Sequence, residues 1–235
     1  RALRRACPAA EISLIGLPWA HELVRRLPYV DRLVPFVGYP GVSEVDFDRG
    51  RLAAFLRHSR AYGYDLAVQL HGNGTALNPF AAALGARFTA GYYVDPAQKR
   101  YLTHSLPYQD GEPEVLRCLR LTELLGAPSQ EAHLEFPVCP DDRLDLERMT
   151  GGRSGSWARP LVAINPGARS PARRWPVGHV AQVAAQLWKH GVGTLVLLGG
   201  PGEETLADEV AARAGVPTLN LAGKTSLGAL AALVE

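Results

Sequence analysis

The sequence predicts an α/β protein of two domains, each with a mostly parallel sheet covered by helices. Short apolar runs alternate with amphipathic stretches along most of the 235 residues. The runs are continuously apolar, as expected of strands buried on both faces of a parallel sheet. From Pro137 to Pro160 the alternation gives way to prolines, paired acids and a Gly-Gly-Arg-Ser-Gly run, a composition typical of a linker. We therefore expect domains at residues 1–150 and 151–235.

In the first domain, strands and helices are predicted in turn from the apolar periodicity. Asp46 or Asp48 is expected to cap the second long helix, whose buried stripe would contain Leu52, Phe55 and Leu56. From residue 95 to residue 113 the pattern is too weak to assign. The predicted strands are 11–16, 32–37, 65–74, which runs into a glycine turn, and 87–93. The predicted helices are 19–28, 46–63, 78–86 and 114–126.

In the second domain the alternation is regular. The predicted strands are 161–167, 193–200 and 217–223, and the predicted helices are 179–191, 203–215 and 226–235. The chain begins with what resembles the end of a helix and stops in a helical pattern without a cap. We therefore expect it to be a fragment of a longer protein, with the first strand of its first domain missing and its second domain truncated.

Composition restricts the possible functions. With 25 basic and 23 acidic residues the formal charge is +2, far from the basic balance of a nucleic-acid-binding protein, so any anion recognition is expected to be local. Cys7, Cys118 and Cys139 are widely spaced and match no metal-ligand pattern, which favours free thiols in a reducing cytosolic setting. No apolar run approaches the roughly 20 residues of a membrane span.

The first candidate site is the stretch INPGARSPARRWP, residues 164–176. It follows a predicted strand at the edge where open parallel sheets bind ligands. Guanidinium groups of Arg169, Arg173 and Arg174 could bind phosphate oxygens, helped by the amino terminus of the next helix. The alternative interpretation is a solvated basic loop.

The second candidate is LLGGPGEE, residues 197–204, in which glycines such as Gly200 allow close backbone approach and Glu203 could accept hydrogen bonds from ribose hydroxyls. The dinucleotide fingerprint G-x-G-x-x-G is absent, and the run could equally be a simple turn. A third candidate, LAGKTSL, holds Thr225 before Ser226, although capping of the last helix by Ser226 explains it as well.

The fourth candidate is the strand end at His71 and Asn73 in the first domain, where a lone histidine is more often structural than catalytic. Motifs of three other enzyme classes are absent: the Gly-x-Ser-x-Gly elbow, the P-loop and His-Glu-x-x-His. Hydrolase, P-loop and zinc-protease functions are therefore disfavoured.

Taken in order, these stretches resemble the bacterial lipopolysaccharide heptosyltransferases of glycosyltransferase family nine. The resemblance rests on INPGARSPARRWP, LVLLGGPGEE and LNLAGKTSLGALAALVE, and on the earlier RALRRACPAAEISLIG and LHGNGTALNPFAAALGARFTAGYY. It covers nearly the whole chain. It implies a GT-B fold, in which two Rossmann-like domains face each other, with an acceptor-side first domain and a second domain that binds the nucleotide sugar.

The resemblance also implies roles for single residues. Arg173 would replace the lysine of the family's KrWP element and contact the diphosphate, with a planar fork in place of a compact ammonium. Gly167 and Ala168 would offer backbone to the phosphates, Gly200 would lie beside the donor and Glu203 would hold the ribose. Thr225 would flank the adenine. His71 and Asn73 would line the acceptor side.

The reaction implied is an inverting, metal-independent transfer, commonly from ADP-heptose, onto a lipopolysaccharide-type glycan at the membrane surface, without a cofactor or nucleic-acid partner. Such a protein would be cytoplasmic or peripheral to the inner membrane. The family's general-base aspartate would lie before Arg1 and its DSG-x-x-H element after Glu235, so we expect the fragment itself to be inactive. A non-catalytic nucleotide-sugar-binding relative and a GT-B-type sugar-nucleotide epimerase remain as alternatives.

Overall fold

The computed structural model describes all residues from Arg1 to Glu235. The chain forms nine α-helices and eight β-strands, and every pair of neighbouring strands is parallel. It divides into two compact units, Arg1–Glu135 and Phe136–Glu235. The α/β class and the parallel sheets predicted from the continuous apolar runs are therefore confirmed.

The first unit holds two small sheets, one of the first two strands and one of the next three in the order β3-β4-β5. In the first sheet Ser13 pairs with Arg32, and in the second Leu66 pairs with Phe88. Its elements are α1 (Ala2–Ala6), β1 (Ser13–Gly16), α2 (Ala20–Val24), β2 (Arg32–Pro35), α3 (Arg49–Tyr62), β3 (Leu66–Val68), α4 (Asn78–Ala83), β4 (Phe88–Tyr93), β5 (His104–Pro107) and α5 (Glu114–Leu124).

The second unit is built on a three-stranded sheet in the order β6-β7-β8. Leu161 of its first strand pairs with Thr194, and Val196 pairs with Leu219. Its elements are α6 (Pro140–Met149), β6 (Leu161–Ile164), α7 (Val177–Lys189), β7 (Thr194–Leu197), α8 (Glu204–Ala214), β8 (Leu219–Asn220) and α9 (Leu227–Val234).

The core of the first unit centres on Phe80 of α4, which is 6% exposed. Its ring meets the ring of Phe36 edge-on at 5.5 Å and stacks on Phe55 of α3 at 5.9 Å. Leu52 and Leu56 pack against the same cluster, so the predicted apolar stripe of α3 is confirmed. Asp48 accepts a hydrogen bond from the Arg51 amide at 2.6 Å, which confirms it as the cap of that helix.

The sheet of the second unit is covered on both faces because the run Leu195–Leu198, in and directly after its central strand, is apolar at every position. Leu195 and Leu197 of β7 pack with α7 and α8, whereas Val196 and Leu198 pack with α6 and α9. Successive side chains of a strand point to opposite faces, so a run of four apolar residues supplies both cores. This three-layer arrangement places the carboxyl ends of β6, β7 and β8 at one edge.

The predicted linker is wrong over residues 140–149, which form helix α6. Asp142 at its third position accepts a hydrogen bond from the Cys139 amide at 2.7 Å, as in a capping box, and Pro140 occupies the first turn, where its missing donor costs nothing. Leu146 and Met149 pack with Leu233 of α9. This helix accounts for the difference between the expected boundary at residue 150 and the division at Glu135.

Two further differences concern strands in the first unit. Residues His104–Pro107 form β5 beside β4, although the sequence pattern there is too weak to assign. The segment 65–74, predicted as a strand running into a glycine turn, pairs with β4 as a strand only over Leu66–Val68. The Gln69 amide still donates to Ala90 O at 2.8 Å, and the turn follows with positive φ at Gly72 and Gly74.

Candidate functional site

Three loops meet at one edge of the second unit's sheet. Each of them follows one strand of that sheet. The loop after β6 runs through Gly167, the loop after β7 through Gly200, and the loop after β8 through Gly223. Backbone hydrogen bonds tie them to the sheet and to each other: the Leu198 amide donates to Ile164 O at 2.8 Å and the Gly223 amide donates to Gly199 O at 2.9 Å.

Glu203 lies at the centre of this edge. It immediately precedes α8, and its Oε2 accepts a hydrogen bond from the Gly200 amide at 2.8 Å. The same carboxylate lies against Gly167 of the neighbouring loop, where a Cβ atom would come within 2.1 Å of Oε1. The structure thus brings together three of the residues singled out in the sequence, from two different loops.

The loop after β6 is shaped by its own polar atoms. Asn165 Oδ1 accepts a hydrogen bond from the Gly167 amide at 3.2 Å, and Pro171–Arg173 form one 3-10 turn. Arg174 Nε donates to Ala168 O at 2.8 Å, which closes the loop on itself. Arg174 therefore helps to shape the loop, and all three arginines of the loop are exposed.

The loop after β6 leads into the amino terminus of α7. Trp175 is exposed and its ring lies 5.7 Å from that of His179, in the first turn of the helix. No acidic residue occupies that first turn, where the positive end of the helix dipole lies, and the loop that leads into it carries three arginines. Both features favour anions.

The loop after β8 is organised by Asn220, a residue that the sequence interpretation missed. Its Oδ1 accepts from the Ala222 amide at 2.9 Å, and its Nδ2 donates to Asp208 Oδ1 of α8 at 2.6 Å. Lys224 Nζ donates to Asn220 O at 2.9 Å. Asparagine at a strand end is the residue type that favours such local turns, and this is the signal that could have identified it.

Thr225 is half-buried in this loop. Ser226 next to it accepts a hydrogen bond from the Ala229 amide at 3.1 Å, which confirms the expected cap of α9.

In the first unit, His71 and Asn73 lie in the exposed turn after β3. Asn73 Oδ1 accepts from the Thr75 amide at 3.0 Å, so its side chain shapes the turn, and His71 O accepts from Gln69 Nε2 at 2.5 Å. Beneath them, fully buried Asn78 donates to Tyr92 O at 2.8 Å and to Gln98 Oε1 at 3.1 Å. These hydrogen bonds tie the start of α4, which follows the turn, to β4 and to the segment after it.

Ionisable and thiol groups elsewhere form no metal-binding cluster of three or more side chains. Asp46 and Asp48 are spaced like a carboxylate pair, but the Asp48 carboxylate caps α3. The three cysteines are free thiols, and burial raises the pKa of Cys118. No helix of the chain is both long enough and apolar enough to cross a membrane.

The chain has the same fold as two solved glycosyltransferases. The chain resembles a family 9 glycosyl transferase from Veillonella parvula with a TM-score of 0.72 and 21% identity, over 99% of this chain and 66% of that one. It resembles the E. coli ADP-heptose LPS heptosyltransferase II with a TM-score of 0.70 and 22% identity, over 100% of this chain and 70% of that one. The fold is therefore the GT-B fold of these glycosyltransferases.

The family follows from sequence. Residues 52–235 match the model of glycosyltransferase family 9, the heptosyltransferases, and the chain belongs to that family. It is 30% identical to lipopolysaccharide heptosyltransferase 2 of Salmonella typhimurium and 29% identical to that of E. coli K12, with 97% of this chain aligned in each comparison. The chain spans 66% of the length of these two relatives.

Proposed function

We propose that this protein is a glycosyltransferase of lipopolysaccharide core assembly that transfers heptose from ADP-heptose to a core or related glycan acceptor. Its relatives are named as lipopolysaccharide heptosyltransferases, and one structural neighbour, at a TM-score of 0.59 and 16% identity over 98% of this chain and 72% of that one, is an E. coli heptosyltransferase, WaaC, with ADP. The observation that carries the proposal is that the carboxylate of Glu203 lies beside the loop after β6, which contains three arginines, at one edge of the second unit's sheet.

The donor's diphosphate is assigned to the loop after β6. Arg173 is exposed there, and the amides of Gly167 and Ala168 lie three and four residues beyond the strand end. A guanidinium fork pairs with phosphate oxygens, and the amino terminus of α7 adds a positive partial charge.

The nucleoside is assigned to the next two loops along the sheet. Glu203, next to Gly200, would accept hydrogen bonds from ribose hydroxyls, because an ionised carboxylate offers only acceptors. Thr225 would flank the adenine from the loop after β8. The order of the strands then matches the order of groups in the donor, from phosphate to base.

The proposed reaction is an inverting displacement. A carboxylate base takes the proton of an acceptor hydroxyl, the hydroxyl oxygen attacks the anomeric carbon, and the bond to the diphosphate breaks. Arg173 and the α7 terminus stabilise the charge that develops on the leaving diphosphate. These groups would replace a divalent cation, so the transfer is proposed to be metal-independent.

The acceptor is assigned to the first unit. His71 and Asn73 occupy an exposed turn, a position open to a glycan. Because lipopolysaccharide precursors are lipid-anchored, the protein would act in the cytoplasm at the surface of the inner membrane.

The test uses the full-length protein, ADP-heptose and a lipid A–Kdo acceptor, with product identified by mass spectrometry. Transfer of one heptose is expected without added metal and in the presence of EDTA. Nucleotide-sugar binding without transfer would instead identify a binding protein, and an epimerised sugar without transfer would identify an epimerase.

A single substitution tests the donor site. Arg173→Ala is expected to weaken ADP binding by about tenfold or more, since one charge-assisted hydrogen bond contributes roughly 1.5–3 kcal/mol. Isothermal titration calorimetry measures this, with Arg213→Ala as control, because Arg213 is an exposed arginine of α8 whose partner is Glu209. Equal affinity of the Arg173→Ala variant and the wild type would remove Arg173 from the site.

A further inference from the structure

Two consecutive carboxylates at the start of α8 each lie over a glycine of a neighbouring loop. Glu203 lies against Gly167 after β6, and Glu204 lies against Gly223 after β8, where a Cβ would come within 2.0 Å of Oε1. The two side chains therefore diverge to opposite sides of β7, and only Glu203 accepts the hydrogen bond from the Gly200 amide.

Positions 167 and 223 favour glycine for different reasons. Gly223 has a φ of +69°, a conformation that itself favours glycine. Gly167 has no such φ, so its backbone is open to any residue. The three atoms nearest to a Cβ at position 167 are the two carboxylate oxygens and the Cδ of Glu203, at 2.1 to 2.5 Å. The space that a side chain would fill at position 167 is the space that the Glu203 carboxylate occupies.

We propose that Gly167 is a positioning residue for Glu203: the missing side chain at 167 is what lets the carboxylate lie beside the loop after β6. Because the Glu203 carboxylate contacts both Gly200 and Gly167, it links the loop after β6, which carries the arginines, to the loop after β7, which is assigned to the ribose. The effect of this positioning by Gly167 on ligand affinity rests on the proposed function, in which Glu203 contacts the donor.

The fold itself does not depend on this space. The atoms that a Cβ at 167 would meet belong to the end of a flexible side chain, which can rotate away. Gly193 is the opposite case, because a Cβ there would meet the backbone carbonyl of Ala158 at 2.6 Å. Substitution of Gly167 is therefore expected to move Glu203 and leave the sheet intact.

The experiment is a double-mutant cycle in the full-length protein with ADP as the probe, measured by calorimetry. Gly167→Ala is expected to weaken ADP binding by about tenfold, close to the loss in Glu203→Ala, since both remove one charge-assisted interaction. In the Glu203→Ala background, Gly167→Ala is expected to add less than about twofold, because no carboxylate remains to displace. Equal losses from Gly167→Ala in both backgrounds would overturn the proposal.

Gly155→Ala is the matched control, since Gly155 also lacks a positive φ and a Cβ there would meet only Glu147 Oε1, at 3.8 Å. It is expected to bind ADP as the wild type does. Thermal denaturation of all variants checks that the fold is retained.

A readout that needs no ligand separates this proposal from the proposed function. The Gly200 amide donates to Glu203, so its proton resonance is expected to move upfield by the same amount in Gly167→Ala and in Glu203→Ala. A Gly200 resonance that stays at its wild-type position in Gly167→Ala would overturn the positioning role. If the resonance moves but the wild-type protein does not bind ADP, the positioning role stands and the proposed function is wrong.

Discussion

Glycine has different tasks at different positions of this chain. At Gly167 a side chain would displace a flexible carboxylate. At Gly74 the φ is +84°, and a Cβ would come within 2.2 Å of Tyr92 O, a backbone atom of the central strand β4. The turn that carries His71 and Asn73 can approach the sheet only because residue 74 has no side chain.

Gly74→Ala is therefore expected to destabilise the first unit by more than about 2 kcal/mol, because the left-handed conformation costs roughly 1–2 kcal/mol and the clash adds to it. Gly72→Ala is the control, since its φ is +60° and a Cβ there would meet nothing within 4 Å. Denaturant unfolding of the full-length variants measures both, and equal midpoints would contradict the clash.

At the scale of elements, Asp31 joins three segments of the first unit. Its Oδ2 accepts from the Ile12 amide at 2.7 Å, just before β1, and from Arg4 of α1 at 2.5 Å. Asp31 itself immediately precedes β2. The hydrogen bond from Ile12, more than the charge of Arg4, holds the pKa of Asp31 below its ordinary value.

This lowered pKa sets the sign of a pH effect. A carboxylate with a depressed folded-state pKa stabilises the fold above its ordinary pKa of about 4 and loses that contribution as the pH falls through the folded-state value. Asp31→Asn is thus expected to lower the unfolding midpoint at pH 7 and to approach wild type at more acidic pH. Exposed Asp110 provides the control substitution. If the difference in unfolding midpoint between the wild type and Asp31→Asn were the same at every pH, this assignment would be contradicted.

The apolar periodicity of the sequence predicted most of the helices and strands, because nearby residues determine where each begins and ends. Helix α3 shows why: Asp48 caps it, and Gly63 ends it in a left-handed conformation. Helix α6 was missed because its acids and proline imitate a linker, and only Leu146 among its apolar side chains is fully buried. Its stability comes from packing on α9, which lies some 80 residues further along the chain, beyond the reach of a local pattern.

The candidate site was predictable as a set of residues but not as an arrangement. Glycines and acids at strand ends identified Gly200 and Glu203. The contact between Glu203 and Gly167 depends on a side-chain torsion and on the pairing of β6 with β7, which no local pattern contains. The roles of all the site residues stay predictions: Gly167, Ala168, Arg173, Gly200, Glu203 and Thr225 toward the donor, and His71 and Asn73 toward the acceptor.

At the scale of the whole molecule, each apolar cluster lies within one unit. Phe80 and its aromatic neighbours belong to the first unit, and the two clusters around Leu195 and Val196 belong to the second. The chain therefore has separate cores that are stabilised by separate sets of residues.

Phe80→Ala is expected to cost about 3–5 kcal/mol in the first unit, since it opens a cavity among three aromatic rings. Hydrogen exchange should show faster exchange of amides in β3, β4 and α4, with those of β7 unchanged. Val210→Ala in α8 should give the reverse distribution. Loss of protection throughout the chain in both variants would contradict separate cores.

Helix α6 also determines where family members can be recombined. It precedes the first strand of the second unit, yet Leu146 and Met149 form part of the layer beneath that unit's sheet. A chimaera joined at residue 150 would combine this helix from one parent with α9 from another. A junction between Glu135 and Cys139 takes α6 and α9 from the same parent, so the side chains that pack between them stay together. It also keeps the hydrogen bond between Cys139 and Asp142 at the start of α6.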